Sequence, residues 1–164
     1  MIGFSAGGHL AANLATSASD DVLAAHGYDP DAVRPNGLML AYPVITSGPL
    51  AHRGSFDSLL GERRNDTETL ESVSIEHHID TKTPPVFVWH TVPDEVVPYE
   101  NTLMLIDACK KAGVSVEAHL FPQGGHGLSL GIAETAWQGI DGIEPSMQIW
   151  TQLAVAWMRR TFAR

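Results

Sequence analysis

The apolar positions along this chain change period several times, and each change marks an element. Met1 and Ile2 read as the end of a strand. From Ala6 to about Ala18, the residues Leu10, Ala11, Leu14, Ala15 and Ala18 recur at helical spacing and predict a helix. Positions 20–36 carry Pro30 and Pro35 and read as a loop. The unbroken apolar run Gly37-Leu38-Met39-Leu40-Ala41-Tyr42-Pro43 predicts a strand covered on both faces. A second such run, Val86-Phe87-Val88-Trp89-His90, is introduced by Pro84-Pro85. Between them, about 44–84, lies an excursion without a steady period, of the kind that shapes a binding pocket. Within it Ser55 opens a turn carrying Phe56, Leu59 and Leu60, Glu62 to Glu71 reads as solvated surface, and Ser72 to His78 as a short helix.

Tyr99 to Gly113 predicts a helix whose apolar side is Leu103, Ile106, Ala108, Cys109 and Ala112. Val114 to Phe121 alternates enough for a strand near a sheet edge, with Val116, Ala118 and Leu120 sharing one face. A last helix is predicted over about Pro145 to Phe162, with Trp150, Leu153, Ala154, Trp157 and Thr161 on one side. Strands alternating with helices in this way imply an α/β fold, a mostly parallel sheet flanked by helices, built as one domain over 1–164.

Composition narrows the picture modestly. The chain has 164 residues, 44% hydrophobic and 18% charged, which is globular rather than disordered. The net charge of −9 argues against nucleic acid or an anionic membrane as partner. No apolar run reaches the length of a membrane span. The single cysteine, Cys109, excludes an internal disulfide and reads as a buried small apolar residue.

The chemistry lies at predicted strand ends. Gly3-Phe4-Ser5-Ala6-Gly7 spells G-x-S-x-G, a turn from strand into helix that lifts a serine hydroxyl off the sheet. The flanking glycines are expected because a Cβ there would strike the neighbouring strand and helix. Alone the motif is also compatible with a glycine-rich turn and an ordinary serine N-cap. Asp94 follows the strand 85–90, and His126, in Gly124-Gly125-His126-Gly127, follows the strand 114–121. Ligands of parallel sheets bind outside the carboxyl ends of the strands. The chain order Ser, Asp, His is that of an α/β-hydrolase triad. In such a triad Ser5 is the nucleophile, His126 the base and Asp94 its orienter. Glu95 is the competing acid, and His52 the weakest competing base. His90 and His119 lie inside strands and read as packed, and His9 reads either as a packed or solvated helix residue or as a site residue. His77-His78 is not a metal pair, since adjacent residues point apart on a helix.

Three blocks carry a family resemblance: Gly3-Phe4-Ser5-Ala6-Gly7-Gly8-His9-Leu10, then Trp89-His90-Thr91-x-x-Asp94-x-x-Val97-Pro98, then Gly124-Gly125-His126-Gly127. They resemble α/β-hydrolase carbohydrate esterases of the acetyl-xylan esterase and acetyl-esterase type. The resemblance implies removal of acetyl groups from sugar or xylo-oligosaccharide esters, without cofactor or metal. It matches Ser5, Asp94 and His126 to the family's triad and the backbone N–H of Ala6 to one oxyanion donor. The family's other donor comes from an HGGG-type loop ahead of the elbow, which these residues do not contain. The resemblance therefore implies that the chain is the carboxyl-terminal part of a longer enzyme. A serine peptidase of the prolyl-oligopeptidase kind uses the same triad order, and an inactive fragment that keeps the elbow for structural reasons is the third alternative.

Overall fold

The computed structural model describes residues 1–137 and 139–163. Its centre is a four-stranded, fully parallel sheet whose spatial order equals its chain order. The strands are β1 (Ile2–Phe4), β2 (Leu38–Ala41), β3 (Val86–Thr91) and β4 (Val116–Phe121). Among the described residues seven α-helices decorate it: α1 (Ala6–Ala15), α2 (Asp20–Ala25), α3 (Pro30–Val33), α4 (Arg53–Leu60), α5 (Thr67–Ser72), α6 (Glu100–Ala112) and α7 (Trp150–Phe162). The register runs Phe4 to Ala41, Ala41 to Trp89 and Trp89 to His119. The carboxyl ends of all four strands therefore lie along one rim.

Both faces of the sheet are covered, which explains the continuous apolar runs. On one face Leu38, Leu40, Val86 and Val88 meet Ala11, Ala12 and Ala15 of α1 and Leu105 and Cys109 of α6. On the other, Ala41, Phe87 and Trp89 meet Trp150, Ala154 and Trp157 of α7. All six residues of β3 are buried. Each large side chain buried this way is worth about 1.5–3 kcal/mol.

Several elements differ from the sequence reading. α1 ends at Ala15 rather than Ala18, and its buried stripe is Gly8, His9, Ala11, Ala12 and Ala15. Leu10, assigned to the apolar side, is 72% exposed. Small side chains let the helix lie close against the sheet, so the packed face is turned about one residue from the face that hydropathy favours. The segment read as a loop holds α2 and α3, the latter begun by Pro30 with an Asp29 cap. On α6 the buried positions are Asn101, Thr102, Leu105 and Cys109, while Leu103 is exposed. Two of these are polar but satisfied: the Asn101 carboxamide accepts from the Ile45 and Thr46 N–H groups and donates to the Leu50 and Pro98 carbonyls. β4 is an edge strand, as its alternation suggests, but Ala118 and Leu120 sit on the exposed side. The last helix starts at Trp150, because Pro145–Met147 forms a separate 3-10 turn.

Candidate active site

Ser5 sits between β1 and α1 with φ 52° and ψ −122°. A non-glycine residue there is strained, and the chain holds it from both sides. The Ser5 N–H donates to the Ala41 carbonyl at 3.0 Å. The Ser5 carbonyl accepts from Gly8, His9 and Val44 N–H groups at 2.9, 3.3 and 3.2 Å. Its side chain does not cap α1. Instead Ser5 Oγ lies 2.7 Å from His126 Nε2, which removes the N-cap reading of the motif.

The glycines of the motif are not equivalent. A Cβ on Gly3 would come within 2.3 Å of the Gly7 carbonyl oxygen, whereas one on Gly7 would meet nothing within 4 Å. The close approach of helix to sheet falls on Gly8, where a Cβ would lie 2.9 Å from Pro43 Cβ. The expectation that both flanking glycines are sterically required holds for Gly3 and fails for Gly7.

Asp94 lies in the turn after β3 and is buried. Its Oδ1 accepts from the Val96 and Val97 N–H groups, both at 2.9 Å. Its Oδ2 lies 2.7 Å from His126 Nδ1 and 3.2 Å from His90 Nε2. Burial alone would raise the carboxyl pKa. The hydrogen bonds from His126, His90 and the Val97 N–H outweigh it and hold the group well below the usual carboxylate range. The competing acid, Glu95, points into solvent.

His126 has to travel. β1 and β4 are separated by three strand spacings, about 14 Å. The loop after β4 folds back over the rim to cross that gap. Gly124, at φ 98°, makes the turn, and a Cβ there would strike Leu128 at 2.5 Å. Thr91 at the end of β3 donates its hydroxyl to the Gly125 carbonyl at 3.1 Å. At the end of β2 the ring of Tyr42 meets His126 edge-on, centroids 4.9 Å apart. The Tyr42 hydroxyl accepts from the Ser129 N–H, pinning the loop beyond the histidine. Burial pushes the Tyr42 phenol above its ordinary pKa, so it stays neutral. The structure thus brings Ser5, His126 and Asp94 into one hydrogen-bonded chain. Ala6 opens α1, where an N–H has no intrahelical partner.

The other histidines divide differently. His9 is buried, 2.8 Å from the Val73 carbonyl and edge-on to Phe56. Desolvation lowers its pKa, partly offset by that hydrogen bond. His52 meets Ser55, and His119 meets Glu117. His90 is packed as expected, but it also contacts Asp94, which the sequence reading missed. The available signal was a histidine inside an otherwise apolar, doubly covered strand. Tyr42 was missed as well, and its position at the end of a strand just before Pro43 was the clue.

Beside Ala6 lies a cavity of about 360 Å³, lined among others by Val44, Phe56, Leu59 and Val73. All four belong to the excursion, and α1 supplies the opposite wall through His9 and Leu10.

The comparisons with known proteins bear on the family and the fold. Residues 1–139 match the profile of the prolyl oligopeptidase family. A curated relative from Butyrivibrio fibrisolvens, Endo-1,4-beta-xylanase B, is 37% identical over 141 residues, covering 85% of this chain and 22% of that protein. An acetylxylan esterase of Xylanibacter ruminicola is 30% identical over 135 residues, covering 80% of this chain and 26% of that protein. Among solved structures, an acetyl ester-xyloside bifunctional hydrolase from Caldicellulosiruptor lactoaceticus superposes with a TM-score of 0.77 at 38% identity. That match covers 97% of this chain and 55% of the other. A carboxylesterase from Lactobacillus plantarum gives a TM-score of 0.75 at 27% identity, covering 97% and 57%. The chain spans about a quarter of the curated relatives and somewhat over half of these structural neighbours. With a parallel sheet, a strained serine elbow and a match over most of its length, this chain belongs to the prolyl oligopeptidase family and has the α/β-hydrolase fold.

Proposed function

We propose that this protein is a serine esterase that removes short acyl groups, acetyl above all, from sugar or xylo-oligosaccharide esters. The observation that carries the reading is the chain from Ser5 Oγ to His126 Nε2 and from His126 Nδ1 to Asp94 Oδ2, with 2.7 Å at each link. Asp94, kept ionised, accepts from Nδ1–H and leaves Nε2 free to accept the Ser5 proton. Ser5 Oγ then attacks the ester carbonyl carbon. The oxyanion takes a hydrogen bond from the Ala6 N–H at the start of α1, where the helix dipole favours negative charge. His126 passes the proton to the leaving alcohol as the carbon–oxygen bond breaks. Water, deprotonated by the same ring, hydrolyses the acyl-enzyme and frees Ser5.

The sugar part of the reading is supported by the acetylxylan esterase and xyloside hydrolase among the relatives. It is also supported by Trp137, which is 73% exposed and donates its indole N–H to the carbonyl of Gly127, next to His126. An exposed, anchored indole suits the apolar face of a sugar ring. A peptidase reading draws on the family match and uses the same triad. One experiment separates the outcomes. A fluorophosphonate probe should label Ser5, and acetylated xylo-oligosaccharides should be cleaved while a prolyl-peptide amide is not. Amide cleavage without ester cleavage would make the protein a peptidase. Labelling at another serine would remove Ser5 from the nucleophile's place.

A further inference from the structure

We infer that His90 is a positioning residue for the triad: its Nε2–H holds the Asp94 carboxylate in place and tempers its basicity toward His126. This rests on the triad reading above.

His90 is fully buried on β3 and every polar atom of its ring is engaged. Nε2 lies 2.9 Å from the Val97 carbonyl and 3.2 Å from Asp94 Oδ2, and both can only accept. Nε2 therefore carries a proton and divides it between them. Nδ1 lies 2.8 Å from Thr102 Oγ1, a hydroxyl that can donate to it. Thr102, buried on α6, can donate to Nδ1 and so favours the arrangement in which the Nε2 proton points toward Asp94.

With His90 included, the Asp94 carboxylate accepts four N–H groups, two on each oxygen: Val96 and Val97 on Oδ1, His126 and His90 on Oδ2. Four is about the capacity of a carboxylate. Three of these donors come from the same short stretch, the end of β3 and the turn after it, so the carboxylate cannot swing. The groups facing His126 are Ser5 at one nitrogen, Asp94 at the other, and the neutral Tyr42 from β2 against the ring. His90 reaches His126 through Asp94 alone.

Removing the fourth donor has two consequences. The carboxylate gains freedom, so His126 is held less well against Ser5. It also becomes more basic and stabilises the His126 imidazolium more strongly, so a higher pH is needed to free the base.

The test compares His90→Leu with His90→Gln, whose amide N–H can stand near the place of Nε2. With a chromogenic acetate ester, His90→Leu should lower kcat/KM by about 10–100-fold, the scale of a hydrogen bond to a charged group. The loss should fall on kcat with KM little changed, and the acid limb of kcat/KM should move to higher pH by roughly 0.5–1 unit. His90→Gln should recover most of the rate and return the limb. Equal losses in both variants with no movement of the limb would make His90 a packing residue only and overturn the proposal. Should His90→Leu fail to fold, nitrogen NMR of histidine-labelled wild-type protein decides. The Nε2–H tautomer at His90, with a resonance that moves as His126 titrates, supports the proposal. An Nδ1–H tautomer, or indifference to His126, overturns it. That readout needs no turnover. Full activity in Ser5→Ala would instead defeat the triad reading, so the two failures are distinguishable.

Discussion

Ser5 offers a way to weigh the strain at the elbow apart from the chemistry. Ser5→Ala and Ser5→Gly both delete Oγ and both lose its hydrogen bond to His126. In the folded state they differ in how well they tolerate φ 52° and ψ −122°. A side chain in that region costs on the order of 1–3 kcal/mol, which glycine escapes. Glycine also frees the unfolded chain, which takes back roughly 0.4–1 kcal/mol. The net expectation is that Ser5→Gly is more stable than Ser5→Ala by about 1 kcal/mol. For a chain of this size that is a Tm difference of about 2–4 °C. The backbone cannot relax in the alanine variant, because the Ser5 N–H and carbonyl keep their bonds to Ala41, Gly8, His9 and Val44. Paired urea and thermal melts of the two variants give the number, and both should be inactive toward acetate esters. An alanine variant more stable than the glycine variant would show that the elbow stores no strain.

Four further outcomes are expected. For the proposed triad, Asp94→Asn should lower kcat by on the order of 10⁴, while Glu95→Gln stays near wild type; the reverse pattern in ester assays would mean the wrong acid. Gly3→Ala should cost more than about 4 kcal/mol or prevent folding, because its Cβ would meet backbone at 2.3 Å. Gly7→Ala should gain up to about 1 kcal/mol of helix propensity, and denaturant melts would expose equal losses at both positions. His9 has a native pKa lowered by burial, so the unfolded state binds the extra proton first. Its contribution is complete above the unfolded value of about 6.5 and is lost as pH falls through the lower native value. His9→Gln should flatten that slope in melts taken across the window. Burial pushes the Cys109 thiol up to about 11, so iodoacetamide should modify it only after unfolding.

Much of the site was legible because its chemistry is tied to local patterns. A strand ending in Gly3-Phe4-Ser5 and a glycine-flanked His126 each announce a turn at a sheet rim. Parallel order then places those turns on one edge. What was not legible depends on packing. Leu10 looks like a core residue by hydropathy, but the bare backbone at Gly8 sets which side of α1 meets the sheet. Asn101 and Thr102 look solvent-facing, yet the excursion and His90 bring them partners that no local period encodes. α3 was hidden by its proline, which breaks a helix interior but starts a helix well at its first turn.

The distance that His126 must cross explains why so much of the rim is committed to one ring. Ser5 and Asp94 are fixed by their own strands: Ser5 by the pairing of β1 with β2, Asp94 by its own turn after β3. His126 arrives from the edge strand on a loop with few side chains of its own. Its position must therefore come from the strands in between. β2 contributes Tyr42, which packs on the ring and holds the loop through Ser129. β3 contributes Thr91, which holds Gly125, and through Asp94 the orienting carboxylate. Trp150 of α7 donates to the Ser129 carbonyl from below, tying the same loop to the covered face of the sheet. The glycine content around His126 and the aromatic content beneath it are then two sides of one requirement. A loop bare enough to bend over the rim carries little packing of its own, so the tyrosine and tryptophan under it supply the rigidity that the proposed general base needs.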